Sequence, residues 1–96
     1  MNIKARTIIE EECVRKEIDS ARNNSKRIEK LWDGLVFRLA RGPEDGTAIS
    51  HMGRTEYAMK VDPDIRPPEL PGIVAVYTYN EDEVNVSFLK IYSLPQ

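Results

Sequence analysis

Apolar positions recur along this chain in two rhythms. Near the start they alternate with polar ones. Ile3, Ala5 and Thr7 interleave with Lys4 and Arg6, the period-two pattern of a strand running from Ile3 to Ile9. Thr7 and Glu10 also stand at capping-box spacing, which would open a helix earlier. The strand reading places the helix start at Glu10 or Glu11. Glu10, Glu11 and Glu12 then occupy the first turn, where carboxylates favour the positive end of the dipole. Cys13, Val14, Glu17, Ile18 and Ala21 continue as a narrow stripe at helical spacing, broken by Asn23-Asn24-Ser25.

The second helix carries the clearest signal. Ile28, Leu31, Trp32, Leu35, Val36, Leu39 and Ala40 form an unbroken apolar face, and Asn24 or Ser25 can cap it. Gly34 stands in mid-helix at a cost of about 1 kcal/mol against alanine, a cost that close approach of another element would explain. Gly42-Pro43 ends the helix. The polar stretch from Glu44 to Gly53 reads as a loop. Thr55 to Val61 reads as a strand with Tyr57, Met59 and Val61 on one face. The proline-rich run DPDIRPPELPG excludes a central strand from 62 to 72. Gly72 to Tyr79 and Val84 to Tyr92 are strong strands joined by a hairpin turn over Asn80 to Glu83. The expected order is β-α-α-β-β-β. Two helices on one face of an antiparallel sheet make an α+β two-layer domain.

Size and charge narrow the picture. The chain has 96 residues, the length of one domain (1–96). Its net charge of −2 disfavours a general nucleic-acid binder. That balance hides an asymmetry. Residues 1–42 carry ten cations and seven anions, whereas residues 43–96 carry four cations and nine anions. An anionic partner is therefore expected on the N-terminal half. The single Cys13 allows no internal disulfide and no multi-cysteine zinc site. Together with the lack of an apolar leader, this leads us to expect a cytoplasmic protein. The longest apolar run, Ile73 to Tyr77, is far too short to span a membrane.

With these elements in place, the chain resembles the RelE/ParE superfamily of bacterial type II toxin–antitoxin systems. The resemblance lies in LVFRLARGPEDGTAI at the end of the second helix, in the strand EYAMKVD, and in the hairpin PGIVAVYTYNEDEVNVSFLKIYS, and it spans residues 4–92. It implies a RelE-like fold, a protein antitoxin as partner, and action on the ribosome and its mRNA. In the RelE branch this is metal-independent endoribonuclease chemistry, as in an mRNA interferase, with no cofactor; the ParE branch is directed at gyrase. Lys60 falls where the family carries a strand lysine. The family's next arginine has no counterpart in Gly72-Ile73-Val74-Ala75, nor does the one expected after the last strand, where this chain reads Ser93-Leu94-Pro95-Gln96. The alternative is a catalytically silent interaction module of the same fold, binding protein, a second copy of itself included.

Candidate chemistry centres on His51, Arg54, Tyr57 and Lys60. His51 has the only side chain whose ordinary pKa suits a general base near neutrality. Arg54 and Lys60 could hold a scissile phosphate, and Tyr57 could donate a proton or stack on a base. The plainer reading is an exposed loop before a strand. Arg66, Lys90 and Tyr92 are the next candidates for RNA or partner contact. Lys26, Arg27, Lys30 and Arg38 form the surface expected to take an acidic partner segment. Asp62, Asp64 and Glu69 lack a neighbouring His or Cys and read as turn chemistry, so no metal is expected. Cys13 reads as a small buried hydrophobe and Trp32 as core. No P-loop, dinucleotide fingerprint or serine elbow is present.

Overall fold

The structure is a computed structural model that describes residues 5–23, 26–51, 53–63 and 71–92, with Lys26 and His51 described by their backbone. Its elements are β1 (Thr7–Glu10), α1 (Glu12–Arg22), α2 (Lys26–Arg41), β2 (Thr47–His51), β3 (Arg54–Val61), β4 (Gly72–Tyr79) and β5 (Glu83–Tyr92), with a 3-10 turn over Pro43–Asp45. The strands form one sheet in the order β1-β5-β4-β3-β2. The expected α+β architecture holds, with both helices packed against the sheet. Two features differ from the sequence reading. The sheet is mixed, because β1 runs parallel to β5 while the other neighbours are antiparallel. The stretch read as a loop from Glu44 to Gly53 contains β2, paired with β3 from Thr47↔Ala58 to His51↔Arg54. Its residues carry almost no apolar signal, and the strand exists because β3 offers it an edge.

The core lies between helices and sheet. Val14 and Ile18 of α1 and Trp32, Leu35 and Leu39 of α2 pack with Met59, Ile73, Ala75, Tyr77, Val84, Val86 and Leu89. The α2 face read from periodicity is the buried one. Gly34 is not a close approach: among the described residues a Cβ there would meet nothing within 4 Å. Cys13 is exposed rather than buried, its thiol donating to the Ser87 carbonyl oxygen at 3.3 Å. On an 11-residue helix only Val14 and Ile18 reach the core, so the neighbouring Cys13 and Glu17 fall outside the stripe.

In β1 the inward face is the opposite of the one suggested by Ala5 and Thr7. Ile8 and Glu10 point towards the helices, while Thr7 and Ile9 are exposed. Glu10 therefore belongs to the strand, not to a solvated helical turn. Its carboxylate accepts a hydrogen bond from Trp32 Nε1 at 2.9 Å. That bond ties the end of β1 to α2 and satisfies the indole as Trp32 enters the core.

Strand β5 contains a bulge. Val76 faces Phe88 but Tyr77 faces Val86, so Ser87 is the extra residue. The inward set switches there from Val84 and Val86 to Leu89 and Ile91, and Phe88 turns outward. Tyr77 is fully buried, and its hydroxyl donates to the Pro43 carbonyl oxygen. Burial, then the neighbouring Tyr79, pushes its pKa up to about 12. The fold thus keeps this proton where an unfolded tyrosine, with a pKa near 10, has lost it. Its contribution is intact below pH 10 and should drain away as pH rises towards 12, by about 2–3 kcal/mol. Urea midpoints at about pH 9 and about pH 11.5 test this, with the drop expected to be smaller by about that amount in Tyr77→Phe. An identical drop in both proteins would remove Tyr77 as its source.

Candidate functional site

The helices cover one face of the sheet and leave the other open. Alternation along each strand, with the bulge included, assigns the open face. Ile9, Ile49 and Phe88 stand there, 40%, 39% and 49% exposed, three of the four exposed large apolar side chains among the described residues. Between them lie the half-buried Ala58, Val74 and Val76. Ala58, Val76 and Phe88 form one cross-strand row. The next row is Lys60, Val74 and Lys90. Both lysines are exposed, on strands separated by β4 and hence about 10 Å apart. Lys60 Nζ lies 3.4 Å from Asp62 Oδ1, an exposed pair that contributes little to stability. In the last row Tyr92 pairs with Gly72 and its ring covers it. A Cβ on Gly72 would stand 2.6 Å from Tyr92 Cζ and 2.7 Å from Pro63 Cδ.

The candidates from sequence divide between places. His51 and Arg54 are register partners that close the β2–β3 hairpin, so His51 belongs to a strand rather than a loop. Arg54 and Lys60 share the open face but are six residues apart on one strand. At about 3.3 Å per residue that is about 20 Å, too far for both to hold one phosphate. Tyr57 is on the opposite face, in a cluster with Tyr77 and Tyr79 at ring-centroid distances of 6.0 and 5.0 Å. It is therefore not a neighbour of Arg54 and Lys60, and the cluster read from their proximity in sequence does not form. Lys90 and Tyr92 do join Lys60 on the open face. Arg66, Asp64 and Glu69 lie outside the described residues. Among the described residues no group of three His, Cys, Asp or Glu is placed to hold a metal ion. No helix of the described residues is long and apolar enough to cross a membrane.

A second surface runs along α2. Arg27, Lys30, Arg38 and Arg41 recur at helical spacing on its outward side with Phe37, which is 58% exposed. Lys26 lies in the same helix's first turn. The Arg41 guanidinium sits 3.7 Å from the Phe37 ring centroid, a cation–π contact. A shallow depression of about 310 Å³ opens where α2 meets the 3-10 turn, lined by Phe37, Arg38, Arg41, Gly42, Glu44 and Asp45.

What sequence reading missed is the apolar patch of the open face. Its signal was present. Ile73 to Tyr77 is a continuous apolar run, and a strand with apolar residues on both sides has something to cover on both. Phe88 was hidden by the bulge, which reverses the alternation after Val86. The chain matches no protein-family model, no curated protein and no solved structure.

Proposed function

We propose that this chain is a RelE/ParE-like toxin-family protein of a type II toxin–antitoxin system that works by binding, a catalytically silent interaction module of that fold. A helix-backed sheet in which the expected β-α-α-β-β-β order recurs, with β2 added at its edge, supports the family reading. One observation carries the silent reading: the cations of β3 are about 20 Å apart on their strand, and Tyr57 faces away from them. Metal-independent RNA cleavage needs charge stabilisation and proton transfer converging on one phosphate. The basic side of α2, with Arg27, Lys30 and Arg38, is the surface on which an acidic antitoxin segment would dock.

A specific observation favours the second reading, an mRNA interferase acting at the ribosome. Lys60 and Lys90 flank Val74 beside the exposed Phe88, the mixture of cations and an aromatic that single-stranded RNA favours. Growth after induced expression separates the two. The silent reading expects no arrest by the wild type. Strong arrest, abolished in a folded Lys60→Ala/Lys90→Ala or His51→Ala/Arg54→Ala/Lys60→Ala variant, would replace it with the nuclease reading and locate the site.

A further inference from the structure

The sheet has two edges, and they are protected differently. β1 has four residues, ends in Glu10 and is followed by Glu11 and Glu12. The Arg6 amide just before it donates to the Ala40 carbonyl oxygen at 2.9 Å, so α2 caps that edge. Short length, charge and cover are the usual devices that keep an edge from pairing. β2 is nearly as short, at five residues, but it carries no such charge and, among the described residues, no such cover. Thr47, Ala48, Ile49, Ser50 and His51 include no Lys, Asp, Glu or Pro, and the first four are exposed.

We propose that β2 pairs antiparallel with β2 of a second copy of this chain, about a two-fold axis at Ile49. The register follows from the hairpin. Only two residues separate His51 from Arg54, and a loop that short can close only on a hydrogen-bonded pair. The bonded pairs with β3 are then those of His51, Ile49 and Thr47. The N–H and C=O groups of Ala48 and Ser50 therefore point to the free edge. An antiparallel copy centred on Ile49 sets Ala48 against the second copy's Ser50, and Ser50 against its Ala48, each pair exchanging both backbone bonds. The two Ile49 residues meet as a non-bonded pair, the closest approach that antiparallel strands offer. No like charges oppose each other anywhere along the pairing, and the exposed apolar Ile49 is covered by its own copy. Paired residues share a face, so the two helix-free faces, each with its Lys60, Lys90 and Phe88, lie on the same side of one continuous sheet. A single short strand pair with one isoleucine contact falls below the roughly 1,200 Å² of a stable interface. The dimer is therefore a reversible one, with a Kd of about 10 µM to about 1 mM. The argument uses only the edge strand and does not rest on the toxin reading.

Sedimentation of the full chain from about 10 µM to about 1 mM tests this, with circular dichroism to confirm the fold of each variant. The wild type should shift from monomer towards dimer. Ile49→Lys sets two ammonium groups opposite each other at the axis, and Ser50→Pro removes an outward donor that β3 does not use. Both should weaken the dimer at least tenfold while remaining folded. In a Cys13→Ser background, Ile49→Cys should cross-link as a dimer under mild oxidation. A monomer throughout the range would overturn the proposal. So would a dimer unaffected by either substitution, or a β2 edge found to accept only a strand from a different protein.

Discussion

Leu35→Asp should leave no cooperatively folded protein at room temperature. Leu35 is fully buried in the middle of the α2 face, within the cluster that joins both helices to the sheet. The substitution removes a leucine's burial, about 2 kcal/mol, and places a carboxylate where no partner is available, at several kcal/mol more. A domain of this size has a total stability of about 5–10 kcal/mol. Leu35→Ala creates only a cavity, at about 2–5 kcal/mol, and should keep a measurable but lowered melting transition. Thermal melts followed by circular dichroism distinguish the two. A cooperative melt with an unchanged midpoint in Leu35→Asp would refute the packing of α2 on the sheet.

Gly46→Ala is expected to be the most damaging conservative change on the surface side of the core. Gly46 follows the 3-10 turn and passes directly against Tyr77. A Cβ there would collide with the Tyr77 hydroxyl and stand 3.0 Å from its Cζ and 3.1 Å from the Ala58 carbonyl oxygen. The ring is packed against Tyr57 and Tyr79, and its hydroxyl is held by Pro43, so it cannot swing aside cheaply. Overpacking and loss of the buried hydrogen bond together should cost about 3 kcal/mol. Tyr77→Phe alone should cost about 1 kcal/mol, because Pro43 loses its donor. The double variant Gly46→Ala/Tyr77→Phe should cost clearly less than the sum of the two, since the phenylalanine has no hydroxyl to meet the new methyl. Urea titrations of the four proteins measure the coupling, and strict additivity would show that the methyl and the hydroxyl never meet.

The candidate site was legible only in part. Lys60, Lys90 and Tyr92 stand out in the sequence by charge and chemistry, and the strands bring them to one face. Tyr57 lies between Arg54 and Lys60 in sequence but not in space. It is offset from each by three positions, an odd number, so the pleat sends it to the other side. Arg54 and Lys60 share a face, but an extended strand is the longest spacer a chain can make, and it holds them far apart. Proximity in sequence is a good guide to proximity in space on a helix and a poor one on a strand.

Much of the fold was written locally. The α2 stripe from Ile28 to Ala40 specifies its own buried side, because one helix turn returns every third or fourth residue to the same face. The hairpin of β4 and β5 follows from two β-rich runs around Asn80, whose side chain accepts the amides of Asp82 and Glu83 at 2.8 Å each. Other features needed partners distant in the chain. β2 is a strand because β3 supplies its hydrogen bonds; its own side chains bury too little to demand one. The inward face of β1 is chosen by its parallel pairing with β5 and by Trp32 reaching Glu10, and a shift of one residue would reverse every side chain. The single-residue insertion at Ser87 turns Phe88 outward for a similar reason, since register between strands, not alternation within one, decides which side of the sheet a residue occupies.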